Sequence, residues 1–132
     1  MPDITKAELD RDVEGQTVVS RFLETVKAHP DQVALRSKQA NESWAQWTYA
    51  KQAEQVAAAA ARLRSLGVGP GDRVLLMMRN IPEFHFVDLA VASLGATSIS
   101  LYNSSSPDQV AYLAGHCKAR LAVVEDLSLI HI

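Results

Sequence analysis

The sequence predicts an α/β fold: a partial, doubly wound parallel sheet in the order β-α-β-α-β, preceded by a helix and a β-hairpin. Three observations predict it. Three apolar segments of strand length alternate with two amphipathic helical patterns after residue 72. The connections between them are short, which is typical of parallel sheets with right-handed crossovers. Upstream of residue 50, two segments in which apolar and polar residues alternate flank the polar stretch QANE. This pattern predicts a β-hairpin.

The composition is that of an ordinary globular chain. Its 132 residues can form one domain with a core, and 48% of them are hydrophobic. The net charge of −2 leaves no basic stripe, so we expect no nucleic-acid partner. No stretch approaches the roughly 18 apolar residues of a membrane span, so we expect no transmembrane segment. The single cysteine, Cys117, fits a reducing compartment, and we expect a cytoplasmic protein.

The first helix is predicted at residues 17–29, after a polar lead-in at residues 1–16. Thr17 can cap its N-terminus, and His29 and Pro30 end it. Apolar side chains recur at every fourth residue on one face: Val18, Phe22 and Val26. The hairpin follows, with strands at residues 33–38 and 43–49.

A second helix is predicted at residues 49–66, with Thr48 as its cap. One stripe of this helix carries its apolar side chains: Tyr49, Ala53, Val56, Ala57, Ala60 and Leu63. Three glycines then precede the strand at residues 73–78: Gly67, Gly69 and Gly71. A phosphate loop lies between a strand and the N-terminus of a helix, whereas these glycines follow the negative C-terminus of one. They therefore predict a structural turn, in which Gly67 closes the helix.

The next helix begins near Pro82, and its apolar face carries Phe84, Val87, Val91 and Leu94. A short strand is predicted at residues 97–102. The last helix opens with a capping box formed by Ser106 and Gln109, and the last strand is expected at residues 120–126. The apolar stripe of that helix carries Val110, Leu113, Ala114 and Cys117.

Ligands bind beyond the carboxyl ends of the strands in open sheets of this kind. The residues at these ends form a candidate ligand-facing edge: Arg79, Asn80, Tyr102, Asn103 and Ser104. A solvated turn and a helix cap explain the same residues equally well. Glu125 and Asp126 end the last strand and are most simply exposed acids. The histidines lack metal-ligand spacing, and no nucleophile arrangement is recognisable, so no catalytic or metal-binding residue is predicted.

The segments, read in order, resemble the N-terminal part of the adenylate-forming superfamily. The residues that carry the resemblance are "WTY", "LGVGPGDRVLLMMRNIPEF" and "AVASLGATSISLYNSSSPDQVAYLAGHCKARLAVVED". Within the superfamily, "LYNSSSPDQVAYL" is most similar to long-chain fatty acyl-CoA synthetases. The resemblance implies a parent enzyme that uses ATP, Mg²⁺ and CoA to convert a fatty acid into its acyl-CoA. It also allows peripheral membrane association of that parent.

The family's phosphate loop and catalytic lysine have no matching positions in this chain. We therefore expect residues 17–126 to be part of a larger domain, with no cofactor of their own and no activity in isolation. Residues 127–132, "LSLIHI", depart from the family pattern and are expected to be a non-native tail. The expected partner of residues 17–126 is the remainder of the same domain, against which they would pack.

Three alternatives stay open. The first is an adenylation domain for amino or aryl acids, which residues beyond Asp126 would distinguish. The second is a short, non-catalytic α/β binding protein. The third, a receiver-like or flavodoxin-like domain, is disfavoured because such domains have no place for the hairpin at residues 33–49.

Overall fold

The computed structural model describes residues 3–125. Asp126 and the tail at residues 127–132 therefore lie outside the described residues. The elements run in the order α1 (Lys6–Val13), α2 (Val18–Ala28), β1 (Val33–Lys38), β2 (Trp44–Thr48), α3 (Tyr49–Ser65), β3 (Arg73–Met77), α4 (Pro82–Ser93), β4 (Thr97–Ser100), α5 (Pro107–Cys117) and β5 (Leu121–Val124). The predicted α/β class is confirmed. Helix α1 is an addition, since a lead-in was predicted there without a helix.

The parallel sheet has three strands in the order β4-β3-β5, so β3 lies in the centre. Leu75 of β3 is opposite Ile99 on one side and Ala122 on the other. Both pairings are parallel, as expected when each strand is followed by a helical crossover. The predicted β-α-β-α-β order is confirmed.

The side chains of β3 divide the core into two layers. Val74 and Leu76 face the larger cluster, which includes side chains of α3 and α4. Leu75 and Met77 face a smaller cluster, against which the apolar stripe of α5 packs. This alternation follows from the two-residue period of a strand, and it places helices on both faces of the sheet. The sheet is therefore doubly wound, as predicted.

The hairpin forms a separate two-stranded sheet, in which Lys38 of β1 is opposite Trp44 of β2. Trp47 attaches it to the main core through an edge-to-face contact with Phe86 of α4, with the ring centroids 6.0 Å apart. Trp44 points away from this contact and is 59% exposed. The hairpin therefore buries one face against α4 and leaves the other in solvent.

Two predicted helix faces are partly wrong. Val18 is 73% exposed, although Phe22 of the same stripe packs against the core. In α3, Ala57 is exposed, although it was predicted on the buried stripe, and Gln52, which lies outside that stripe, is buried. The run of alanines at residues 57–61 has similar hydrophobicity on every side, so it cannot determine which face of α3 is buried.

The glycine-rich turn is structural, as predicted. Gly67 has φ +90°, and its N–H donates to the Arg64 carbonyl over 2.9 Å. The next N–H, that of Val68, donates back to the Leu63 carbonyl over 3.1 Å. These two bonds form a Schellman motif, which satisfies the last carbonyls of α3.

Helix α4 ends in the same way at Gly95, which has φ +73°. A Cβ added to Gly95 would lie 3.3 Å from the Cα of Pro70, a backbone atom that cannot easily move away. The Gly95 carbonyl also accepts from the Gly71 N–H over 2.9 Å. Gly95 therefore joins the end of α4 to the turn before β3.

Replacing Gly95 with alanine is expected to destabilise the chain by about 1–2 kcal/mol, because a left-handed residue then carries a Cβ that meets Pro70. The matched control is Gly115→Ala. Gly115 lies in helical backbone with open space around it, and its replacement is expected to stabilise by about 0.5–1 kcal/mol. Urea unfolding of both variants measures the difference. Equal effects would contradict the role assigned to Gly95.

Candidate functional site

The carboxyl ends of the three parallel strands lie at one edge of the sheet. Arg79 and Asn80 follow β3, the loop at residues 101–106 follows β4, and Glu125 follows β5. Because β3 is central, its loop lies between the other two chain segments. The strand order therefore brings all three segments to the edge at which open α/β sheets bind ligands.

Arg79 and Glu125 connect the ends of β3 and β5 across this edge. The backbone N–H of Arg79 donates to Oε2 of Glu125 over 2.9 Å, and its Nε donates to Oε1 over 2.8 Å. The Arg79 Nη2 also donates to Oε1. One carboxylate thus holds both the side chain and the backbone of the loop that follows β3.

The prediction that Glu125 is simply an exposed acid is wrong, since its side chain is 14% exposed. The hydrogen bonds from the side chain and then the backbone of Arg79 hold the pKa of the Glu125 carboxyl below its ordinary value of 4.5. The strand register carries the signal that could have found this pair. Met77 is opposite Val124, so the residues that follow these two lie within reach of each other.

Asn80 lies on the hairpin side of the edge. Its Oδ1 is 3.2 Å from Nε2 of His85, which joins the loop to the first part of α4. Both residues line a groove between β1 and the start of α4. This arrangement places an amide and an imidazole side by side at the N-terminus of a helix.

Tyr102 and Ser104 line a different groove, of about 670 Å³, which lies beside the first half of α5. Tyr102 is 85% exposed, so its ring is available to a ligand or another segment. Ser106 and Gln109 form the predicted capping box at the start of α5, with Ser106 Oγ accepting from the Gln109 N–H over 3.3 Å. The capping prediction is therefore confirmed for Ser106.

Asn103 lies between Tyr102 and Ser104 in the sequence. Its Oδ1 is buried and accepts no hydrogen bond from the described residues. Burying an acceptor without a partner costs free energy. The five predicted site residues thus follow strands at one edge of the sheet, but Asn80 lines one groove, Tyr102 and Ser104 line another, and Arg79 and Asn103 are not among the lining residues of either.

The described residues do not form a complete nucleotide or metal site. Within residues 3–125, no group of three or more His, Cys, Asp or Glu side chains could hold a metal ion. The carboxylate of Glu125, which follows β5 at the edge, already accepts three hydrogen bonds from Arg79. The glycines before β3 make turns rather than a phosphate loop, and no catalytic step follows from this geometry.

Comparison with protein families identifies the family of the chain. Residues 22–131 match the AMP-binding enzyme family. The chain belongs to this family. The match includes every strand of the structure and all five residues of the candidate edge.

Curated relatives include synthetases of several acids. The chain is 37% identical over 109 residues to the uncharacterized protein Rv1549 of Mycobacterium tuberculosis, covering 83% of this chain and 61% of that one. It is 36% identical over 125 residues to 4-coumarate–CoA ligase 3 of rice, Oryza sativa subsp. japonica, covering 95% of this chain and 21% of the ligase. It is 31% identical over 112 residues to the long-chain-fatty-acid–CoA ligase FadD15 of M. tuberculosis, covering 85% of this chain and 18% of the ligase.

The fold of the chain is also similar to that of solved structures. NpsA of Klebsiella oxytoca, in complex with 3-hydroxyanthranilyl-AMSN, matches with a TM-score of 0.76 and 27% identity. The match covers 86% of this chain and 22% of NpsA. The separate N-terminal subdomain of NpsA matches with a TM-score of 0.74 and 28% identity, over 83% of this chain and 28% of the subdomain. The fold is therefore that of part of an adenylate-forming N-terminal subdomain.

Among residues 3–125, no helix combines the length and the apolar composition that a membrane-spanning segment needs.

Replacing Glu125 with glutamine is expected to destabilise the chain most at about pH 7, where the carboxylate is ionised. A carboxyl whose pKa is lower in the folded state than in the unfolded state stabilises the fold at a pH above its unfolded-state pKa. This contribution is lost as the pH falls through the folded-state pKa. The difference in free energy of unfolding between the wild type and Glu125→Gln should therefore become smaller below about pH 4.5. Urea unfolding between about pH 3 and pH 7 measures it. Glu54→Gln, on an exposed part of α3, is the matched control, and an equal pH response there would contradict the assignment.

Proposed function

We propose that this chain is the N-terminal part of an AMP-forming acyl-CoA synthetase that acts on a long-chain fatty acid. The observation that carries the proposal is its family membership, together with its similarity over 112 residues to the long-chain-fatty-acid–CoA ligase FadD15. The stretch "LYNSSSPDQVAYL" supports the same substrate class. The parent enzyme would convert a fatty acid, ATP and CoA, with Mg²⁺, into acyl-CoA, AMP and pyrophosphate by way of an acyl-adenylate.

In this proposal, residues 17–126 form part of the synthetase domain and residues 127–132 are not native. The chain contributes a wall of the site rather than its catalytic groups. Its contribution is the edge formed by Arg79, Asn80, Tyr102, Asn103 and Ser104, which would border bound substrate. The exposure of Tyr102 supports this role, because its ring is accessible to a ligand or to a later segment of the domain.

The remainder of the same domain is the proposed partner of this chain. Helix α5 has no buried residue, and the apolar side chains around it are only partly covered. Parallel sheets are normally covered on both faces, so a thin layer on the α5 side favours further structure there. We also propose a cytoplasmic location for the parent, in keeping with the single cysteine of these 132 residues.

An aryl-acid adenylating enzyme is the second candidate. It is favoured by the likeness to NpsA, whose structure holds 3-hydroxyanthranilyl-AMSN, and by the identity with 4-coumarate–CoA ligase 3. Both candidates share the activation of a carboxylate by ATP. They differ in the acid that the site accepts.

The test compares this chain with a longer product of the same reading frame, continued past the codon of Asp126. Each is assayed for ATP–pyrophosphate exchange with palmitate, octanoate, 4-coumarate and 3-hydroxyanthranilate. We expect no exchange with the 132-residue chain, and palmitate to exceed the aryl acids by about tenfold or more with the longer one.

Preference for an aryl acid would overturn the fatty-acid proposal and support the second candidate. Exchange by the 132-residue chain itself would overturn the assignment of catalysis to later segments. A reading frame that ends after Ile132 would overturn the synthetase proposal and favour a short binding protein.

A further inference from the structure

The order of the strands places a topological switch point between β3 and β5. From β3 the chain passes through α4 to β4 on one side, and from β4 it returns through α5 to β5 on the other side of β3. Flavodoxin-like sheets begin with the same relative order of strands, and they bind their ligand beyond the carboxyl ends of the two strands at this point. The corresponding position in this chain lies beyond the ends of β3 and β5.

Two residues meet at this position, and we call the place defined by Arg79 and Glu125 the switch-point site. Glu125 directly follows β5, and its N–H donates to the Met77 carbonyl over 3.3 Å, so the pairing with β3 continues past the end of the strand. Its Oε2 accepts from the Arg79 N–H over 2.9 Å, and its Oε1 accepts from Nε over 2.8 Å and from Nη2. Both oxygens of the carboxylate are therefore bound by Arg79.

The donors of the switch-point site are those with which proteins bind anionic ligands. A guanidinium donates directional, charge-assisted hydrogen bonds to a carboxylate, and a backbone N–H binds an oxyanion in the same way. The Arg79 carbonyl also accepts from the Ile81 N–H over 2.8 Å, which holds this loop independently of Glu125. We therefore expect the donors of Arg79 to remain near their positions when the Glu125 carboxylate is removed.

The burial of the two partners distinguishes this contact from an ordinary surface ion pair. The Glu125 side chain is 14% exposed, whereas that of Arg79 is 71% exposed. Surface ion pairs contribute little because both of their side chains are mobile and solvated. At the switch-point site, three donors converge on a mostly covered carboxylate, as they would on a bound ligand.

We propose that Glu125 is a built-in occupant of an anion site at the switch point between β3 and β5, where its carboxylate takes the position of a small carboxylate ligand. A free carboxylate loses translational and rotational freedom on binding, whereas that of Glu125 is already attached to the chain. Glu125 therefore closes the site to external anions and fixes the loop that carries Arg79 and Asn80. This inference does not depend on the proposed synthetase activity.

Removal of the carboxylate should therefore create a binding site as well as break a contact. The substitution Glu125→Ala deletes Cγ and the carboxyl group, which together have the size of acetate. We expect acetate to bind beside Arg79 in this variant and to restore part of the lost stability. In the wild type, acetate meets donors that are already occupied by Glu125.

The test is urea unfolding of the 132-residue chain at about pH 7, in about 0.5 M sodium acetate and in sodium chloride of the same concentration. For Glu125→Ala, we expect acetate to lower the equilibrium constant of unfolding about fivefold relative to chloride, as a site with a Kd of about 0.1 M would. The wild type supplies the general effect of acetate on stability. The matched control, Glu54→Ala, removes an exposed carboxylate of α3 and should respond as the wild type does.

Two further variants test the donors and the space. Arg79→Gln/Glu125→Ala lacks the guanidinium and should lose the response to acetate. Glu125→Gln fills the space of the carboxylate and should show no response. Hydrogen exchange by NMR gives the location: the Arg79 amide should exchange about tenfold faster in Glu125→Ala than in the wild type, and acetate should slow it again.

Three results would overturn the proposal. The first is a response of Glu125→Ala to acetate that does not exceed that of the wild type. The second is an equal response of the double variant. The third is stabilisation by acetate without slower exchange of the Arg79 amide, which would place the anion elsewhere. If Glu125→Ala is unfolded in chloride, acetate is expected to refold it, and a variant that stays unfolded in acetate would also contradict the proposal.

Discussion

The burial of β3 on both of its faces is the constraint on which the rest of the structure depends. All residues from Val74 to Met77 are buried, and Val74 and Leu76 are inaccessible to solvent. A strand in this environment needs a neighbour on each edge and a helix on each face, since no backbone group there can turn to water. Strands β4 and β5 supply the edges, α3 and α4 cover one face, and α5 covers the other.

The same constraint positions the candidate site. A central strand between two parallel neighbours sends three loops to one edge, and the loop after β3 has to pass between the other two. Arg79 and Glu125 stabilise that passage, because one carboxylate receives both a backbone N–H and a guanidinium. On the side of β5, the edge is thus fixed by hydrogen bonds between two loops. On the side of β4, Tyr102 is exposed and the Asn103 acceptor has no donor among residues 3–125.

Family membership and the local geometry answer different questions about function. Residues 22–131 identify the family, yet the described residues hold no metal cluster and no phosphate loop. The chain spans 61% of Rv1549 and 18% of FadD15, so both relatives extend beyond the part that they share with it.

The sequence by itself determined those features that depend on a few neighbouring residues. Thr17, Thr48 and Ser106 were identified as helix caps, and Gly67 as a helix end, because each forms hydrogen bonds to backbone within three or four positions. The alternation of strands and helices was likewise readable from apolar periodicity. The resemblance of ordered segments to a family was also a property of the sequence, and it was confirmed.

Only the tertiary structure decided the features that join distant segments. The Arg79–Glu125 pair spans 46 residues, and it exists because β3 and β5 are neighbours in the sheet. The buried face of α3 was decided by packing, since its alanines distinguish no side. The positions of the hairpin and of α5 decided that Asn80 lines one groove and that Tyr102 and Ser104 line another. Local hydrogen bonds are encoded by neighbouring side chains, whereas strand order and helix orientation depend on how the whole core is filled.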